Sequence, residues 1–246
     1  SGTRLWPSSR KSFPKQFMKL IGVETLFQQS AIRLTNHSSL KFNSPIIITN
    51  EDFRFIVKEQ LKVVGINPRK ILIEPEAKNT APAILAATIF ALKENENAVV
   101  IATPTDHVIP DIKIFNEVIE AGFKGVKNGK IVTFGINPTY PETGYGYLKI
   151  DKFRNKAFYK VLKFIEKPDQ NLAKKMLNQD CYLWNAGIFM FRAKDMIEAF
   201  DLYAKDMLSS VTKSVEISSE DMAFKRLDPK SWSTLENISI DYAIME

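Results

Sequence analysis

Lys70-Ile71-Leu72-Ile73-Glu74-Pro75-Glu76-Ala77-Lys78-Asn79-Thr80-Ala81-Pro82-Ala83-Ile84-Leu85, running on through Thr88, Ala91 and Leu92 to Ala98-Val99-Val100-Ile101-Ala102, decides the fold. Ile71 to Ile73 and Val99 to Ile101 are apolar runs without polar alternation, the pattern of strands covered on both faces. Between them, Ile84, Leu85, Thr88, Ala91 and Leu92 keep helical spacing behind Pro82, and Asn79 or Thr80 stands where an N-cap belongs. A strand, a helix and a second strand in this order make a βαβ unit.

The same rhythm extends outward. Pro45-Ile46-Ile47-Ile48-Thr49 and Ile131-Val132-Thr133-Phe134-Gly135 are further apolar runs. Phe53, Ile56, Val57, Leu61 and Val64 hold helical spacing before Gly65, and Phe115, Val118, Ile119 and Val126 mark another crossover helix. The four runs are expected to be central parallel strands of a doubly wound α/β sheet, whose ligands bind at the carboxyl ends of the strands. The second half reads differently: Tyr145 to Ile150, Phe158 to Ile165 and Tyr182 to Phe191 are longer, aromatic strands with one short helix near Asn171 to Met176. No linker or repeat separates the halves, so residues 1–246 are expected to form one domain with two lobes, 1–140 and 141–246.

A chain of 246 residues, 45% hydrophobic, can bury a large core without metal or disulfide staples. Its one cysteine, Cys181, excludes an internal disulfide framework and fits a reducing, cytoplasmic compartment. No apolar run approaches the roughly 18 residues that span a bilayer. The net charge of +6 suits an anionic partner, either nucleic acid or phosphorylated small molecules.

Candidate site residues stand where strands end. The opening Gly2-Thr3-Arg4-Leu5-Trp6-Pro7-Ser8-Ser9-Arg10-Lys11-Ser12-Phe13-Pro14-Lys15 gathers cations on a segment too rich in Ser, Pro and Gly for a helix, which suits a polyanion. Asp106, in Thr105-Asp106-His107, follows a central strand where an exposed carboxylate can hold Mg²⁺; a turn residue or helix cap explains it equally well, and His107 reads as structural. The loop Lys78-Asn79-Thr80-Ala81-Pro82 leads into a helix N-terminus attractive to phosphate or base edges, and ordinary capping explains it as well. Glu142, followed by Gly144, Tyr145 and Gly146, offers a carboxylate beside close backbone; the simpler reading is a glycine turn. Glu166 and Lys167 end a strand as a hydroxyl binder and a phosphate binder, or as an exposed ion pair before a turn. Asn185 follows Leu183-Trp184, which fits a pyranose and also fits sheet packing.

Taken in order, Gly2 to Pro7, Pro14-Lys15-Gln16-Phe17, Glu74-Pro75 with Lys78 to Ile84, Thr105-Asp106-His107, Pro141 to Tyr147, Phe164 to Pro168, Leu183-Trp184-Asn185 and Ser239-Ile240-Asp241-Tyr242-Ala243 resemble the motifs of the mannose-1-phosphate guanylyltransferases, of the sugar-nucleotide pyrophosphorylase family. The resemblance covers nearly the whole chain. It implies a Rossmann-like, mixed and mainly parallel sheet flanked by helices with a strand-rich sugar-binding lobe. It also implies transfer of GMP from GTP to mannose 1-phosphate, giving GDP-mannose and pyrophosphate. Carried over by position, Arg4 and Lys15 hold triphosphate oxygens, and Gly2, Thr3, Lys78, Asn79, Thr80 and Pro82 line the nucleotide side. Asp106 and Asp241 hold Mg²⁺; Lys167 meets the sugar phosphate; Glu142, Glu166 and Asn185 take mannose hydroxyls in a pocket shaped by Gly144 and Tyr145. Arg4, Lys15 and Asp106 are the expected catalytic residues. Only the resemblance pairs Asp241 with Asp106, since local pattern alone makes Asp241 a first-turn acid favourable to a helix dipole.

In that family an opening strand and a Leu-Ala-Gly-Gly phosphate turn stand ahead of the Gly2 to Pro7 motif, and both are expected to precede Ser1. Many bacterial members also carry a C-terminal cupin-type isomerase domain, for which His37 and His107 alone supply no ligand cluster. A non-catalytic sugar-nucleotide binder and a nucleic-acid binder are the competing readings. The latter is the weaker, because the aromatics fall in core strands rather than along a basic stripe. Surface in the second lobe is compatible with a homodimer, and neither nucleic acid nor membrane is an expected partner.

Overall fold

The computed structural model describes residues 13–35, 39–152 and 158–245. The expected βαβ rhythm is there. Helix α1 (Leu26–Thr35) precedes β1 (Ile46–Asn50), α2 (Arg54–Val63), β2 (Lys70–Glu74), α3 (Thr80–Glu94), β3 (Val99–Ala102), α4 (Ile112–Lys127) and β4 (Val132–Ile136). The second half contributes β5 (Tyr147–Ile150), β6 (Val161–Ile165), α5 (Gln170–Leu177) and β7 (Tyr182–Arg192). It then adds α6 (Ala193–Tyr203), α7 (Lys205–Glu216), β8 (Ser219–Asp221), β9 (Phe224–Arg226) and α8 (Pro229–Ser233). Local punctuation works as the sequence suggests. Gly65 ends the α2 segment at φ +69°, in the left-handed region where a side chain is strained, and Asn79 is the N-cap of α3, its Oδ1 accepting from the Thr80 amide at 2.9 Å.

Strand pairing departs from a simple parallel array. β1, β2 and β9 are hydrogen-bonded in parallel, with β8 antiparallel on β9. β3 and β4, expected beside parallel neighbours, both bond antiparallel to β7, one on each of its edges, and β5 joins β7 on its own account while carrying β6. The physical reason is β7 itself. Its eleven residues are buried from Ile188 to Phe191 and long enough to serve several short partners, a non-local demand that no apolar run announces.

Side chains from the sheet strands alternate between two helical layers. Leu72, Phe189 and Phe191 pack against α3, α6, α7 and α8 in one core that includes Phe200 and Trp232. Ile71 and Ile73 face a second core with Phe17, Phe27, Val57 and Leu61, whereas Ile188 and Met190 face a third with Phe115, Ile119 and Val126 of α4. The indole of the fully buried Trp232 donates to the Glu76 carbonyl at 2.8 Å, which satisfies its polar handle. No helix among the described residues is long and apolar enough to cross a membrane.

Candidate functional site

The site is assembled around the middle of β7. Between the part of β7 that pairs with β3 and the part that pairs with β5 lie Asn185 to Ile188, and the groups of interest collect beside this interval. Beyond β3, Asp106 accepts an ion pair from Lys15 at 2.7 Å, both side chains about one-third exposed. Lys15 is placed by the turn Lys15–Phe17, whose Phe17 ring is buried against Phe27 and Phe53. Pro104, two residues before Asp106, lies in ordinary contact range of Gly187, its ring 3.7 Å from where a Cβ would stand; the φ of +64° is what calls for glycine there.

On the other side of that interval Asn185 donates from its amide nitrogen to an Asp241 carboxylate oxygen at 2.6 Å. Its amide oxygen accepts from the Thr133 hydroxyl at 3.0 Å and from the Gly187 amide at 3.2 Å, and its backbone N–H donates to the Gly146 carbonyl at 2.8 Å. Asn185 is therefore fixed from four directions. Burial pushes the Asp241 carboxyl up, and the nearby Glu166 charge pushes it further, while the Asn185 hydrogen bond opposes both. A cation would relieve that carboxylate.

Lys167 reaches Glu166 at 2.6 Å, and this bond raises the Lys167 ammonium above its ordinary value, with smaller help from Tyr242 and Asp241. Lys167 adopts φ +42°, and its N–H donates to the Tyr145 carbonyl at 3.2 Å, so the strained backbone directs this cation beside the glycine turn. In that turn Glu142 accepts from the Gly144 amide at 2.8 Å, and its carbonyl accepts from the buried Tyr147 hydroxyl at 2.9 Å. Gly146 is obligatory for another reason: a Cβ there would lie 2.8 Å from a Glu166 oxygen and from the Phe164 ring. Tyr145 stands edge-on to Trp184 with ring centres 5.4 Å apart.

The α3 N-terminus meets the same region. Thr80 accepts at its hydroxyl from the Ile240 amide at 2.9 Å, and the Ala81 amide donates to the Ile238 carbonyl at 3.2 Å, which ties this first turn to the segment bearing Asp241. Lys78 donates to the Ser233 carbonyl and pairs with Glu76, so its ammonium braces α8. Pro82 is buried in the first turn of α3. Gly2, Thr3 and Arg4 lie outside the described residues.

Lys15 with Asp106, Asn185 with Asp241, Glu166 with Lys167, and Glu142 with Gly144 thus form linked neighbours around one strand interval. Asp106 and Asp241 flank it from different segments, and among the described residues no three His, Cys, Asp or Glu side chains cluster as a ready metal cage. Both acids offer the hard oxygen donors that Mg²⁺ prefers while leaving most of its shell to water and phosphate. Sequence reading passed over Thr133, which orients Asn185, and the burial of Glu74. Glu74 closes β2, and burial alone pushes its carboxyl up to about 7; its place at the carboxyl end of an apolar run was the available signal.

Residues 1–235 match the nucleotidyl transferase family. The chain is 42% identical over its full length to a mannose-1-phosphate guanylyltransferase of Sinorhizobium fredii, covering 48% of that protein. It is 39% identical to xanthan biosynthesis protein XanB of Xanthomonas campestris, covering 52% of it. The chain therefore spans about half the length of these relatives. Among solved structures, one titled mannose-6-phosphate isomerase from Helicobacter pylori superposes with a TM-score of 0.84 at 29% identity, covering 96% of this chain and 90% of that one. Another, titled mannose-1-phosphate geranyltransferase from Thermus thermophilus, gives 0.84 at 28% identity, covering all of this chain and 68% of that one.

Proposed function

Because the chain belongs to the nucleotidyl transferase family, we propose that it transfers the guanylyl group of GTP to α-D-mannose 1-phosphate, yielding GDP-mannose and pyrophosphate. The observation that carries this reading is the run of contacts around residues 185–188, which sets a Lys15–Asp106 pair and a Glu166–Lys167 pair on either side of one strand interval. One cation is then available to each of two phosphorylated molecules. The relatives named for mannose-1-phosphate guanylyl transfer, and for xanthan synthesis, supply the substrate class.

The sugar phosphate oxygen attacks the α-phosphorus of GTP in line, forming the new P–O bond as the bond to the β-phosphate oxygen breaks and pyrophosphate leaves. A phosphate monoester, with a second pKa near 6, is already mostly dianionic at neutral pH, so no strong general base is needed. The work left to the protein is positioning and charge. Lys15, with Arg4, neutralises triphosphate oxygens; Lys167 holds the sugar phosphate; Glu142, Glu166 and Asn185 accept or share hydroxyl hydrogen bonds with Gly144 and Tyr145 shaping the pocket. Asn79, Thr80 and Pro82 line the nucleoside side. Asp106 and Asp241 would hold Mg²⁺, which when bound supplies positive charge to the phosphates. Cys181 as a free thiol accords with work in the cytoplasm.

The isomerase title of the Helicobacter pylori structure favours a second reading, in which these residues are the nucleotidyl half of a bifunctional protein. Both readings demand the same chemistry here. The test measures pyrophosphate release across a matrix of nucleoside triphosphates and hexose 1-phosphates, with Asp106→Asn alongside. GTP with mannose 1-phosphate should be preferred, and the variant should lose at least a hundredfold in kcat/KM, about 2.7 kcal/mol, with the fold intact by circular dichroism. Preference for ATP, UTP or glucose 1-phosphate would overturn the assignment of substrates, and a fully active Asp106→Asn would overturn the role of that acid.

A further inference from the structure

Arg33 breaks the rule that a buried charge is paired. It lies on α1 with 6% of its surface exposed, its Nε has no hydrogen-bond partner, and among the described residues no carboxylate offsets its charge. The guanidinium has two supports: Nη2 donates to the His107 carbonyl at 3.2 Å, and the central carbon stands 5.4 Å from the centre of the Phe115 ring of α4. Burial accordingly pushes it below its ordinary value. An unpaired charge of this kind destabilises a fold, and a chain that keeps one marks a place where something other than packing is served.

The loop that Arg33 touches is the one that carries Asp106. Ile101 and Ile109 anchor its two ends in the core beneath α4, but among the described residues 103–109 make no backbone-to-backbone hydrogen bond. Side chains hold it instead. Ser30 of α1, 4% exposed, donates its hydroxyl to the Pro104 carbonyl over a long 3.4 Å, and Arg33, three residues on and so on the same helix face, takes the His107 carbonyl. These two carbonyls bracket Thr105 and Asp106. The same helix also seats the partner of that acid: the Leu26 amide donates to the Met18 carbonyl at 3.3 Å and Phe27 packs on Phe17, which ties the turn bearing Lys15 to the start of α1. Both halves of the Lys15–Asp106 pair are therefore mounted on one helix.

We propose that Arg33 is a positioning residue for guanylyl transfer: with the Ser30 hydroxyl, its guanidinium holds the loop carbonyls on either side of Asp106, so that the acid keeps its place opposite Lys15 for metal and triphosphate. Arginine suits this task better than lysine. Its planar group lies over Phe115 while one N–H stays aimed at the carbonyl, and it remains charged even where burial disfavours the charge. A charged donor also makes a stronger bond than a neutral one. Misplacing a reacting group by about 1 Å can cost roughly a hundredfold in rate, so a loop without a ladder of its own needs such a brace. The inference rests on the guanylyl-transfer reading for its chemistry, but the ordering of the loop can be measured without any substrate.

The test compares the parent chain with Arg33→Met, which keeps an apolar stem and removes charge and donor. Nitrogen-15 relaxation should show the order parameters of the Thr105, Asp106 and His107 amides falling from about 0.85 to below about 0.6. The urea midpoint should stay at or above that of the parent, because an unpaired buried cation has gone. In the pyrophosphate assay kcat/KM should fall roughly tenfold to a hundredfold, and the Mg²⁺ concentration giving half the maximal rate should rise about as much, with the KM for mannose 1-phosphate unchanged. A purely packing role predicts a lower midpoint and order parameters that do not move. That result, or full activity despite a disordered loop, would overturn the proposal. Should Arg33→Met fail to fold, Ser30→Ala carries the test: the order parameters of Thr105 and Asp106 should fall with the urea midpoint near that of the parent, and no change in them would overturn the proposal equally. A parent chain that releases no pyrophosphate from GTP and mannose 1-phosphate would sink the substrate assignment and leave the relaxation measurement to decide the role of Arg33.

Discussion

Replacing Glu74 with glutamine should stabilise the protein in alkaline solution and do little in acid. Burial at the end of β2 pushes this carboxyl from its ordinary 4.5 to about 7, with no charged partner among the causes. A raised acid is one whose ionised form the fold disfavours, so the folded chain binds more protons than the unfolded chain between these two values, and stability falls as pH rises through that window. At 1.36 kcal/mol per unit, the full penalty is about 3 kcal/mol above pH 7, of which about 2.5 kcal/mol develops between pH 5 and pH 8. Glutamine keeps the shape of the protonated side chain and cannot ionise. Urea unfolding followed by far-ultraviolet circular dichroism at half-unit pH steps should therefore show the stability gap between Glu74→Gln and the parent chain widening by roughly 2.5 kcal/mol between pH 5 and pH 8. Parallel profiles would refute the reasoning, showing that Glu74 reaches water or a cation and never pays the desolvation cost.

Two further substitutions probe the site. Gly146→Ala drives a methyl group to 2.8 Å from Glu166 and Phe164; it should cost about 1–3 kcal/mol of stability and raise the KM for the sugar phosphate more than that for the nucleotide, measured by pyrophosphate release. Asn185→Asp places a second carboxylate beside the half-buried Asp241, 2.6 Å from the present amide, so unfolding titrations should show a loss that is larger at pH 8 than at pH 5; equal losses at both would mean that the two carboxyls do not interact.

The parts of the fold that were legible are those written in local pattern. Ile71 to Ile73, Val99 to Ile101 and the Asn79-to-Pro82 helix start could be read because burial on both faces and capping each leave a mark within a few residues. The pairing of β3 and β4 with β7 left no such mark, since which edge a strand joins is settled by competition among distant partners. β9 is only Phe224 to Arg226, too short to carry a period, yet it lies beside β2. The helices after Arg192 fell outside the segments that the strand-rich reading covered. For the site, residue types suggested chemistry at Asp106, Glu142, Lys167 and Asn185, but their mutual support depends on pairs such as Lys15 with Asp106 and Asn185 with Asp241, far apart in sequence. Glu74 was seen as a strand end; its desolvation depends on what the rest of the chain packs around it.

The stitching of α3 to residues 238–241 has a thermodynamic corollary. Thr80 and Ala81 hold the backbone just ahead of Asp241, so any guest that rearranges the beginning of that helix also shifts the acid, and any ion gripping the acid stiffens the helix start. Occupancy at one location then alters affinity at the other by an equal factor in both directions, a coupling carried by two hydrogen bonds.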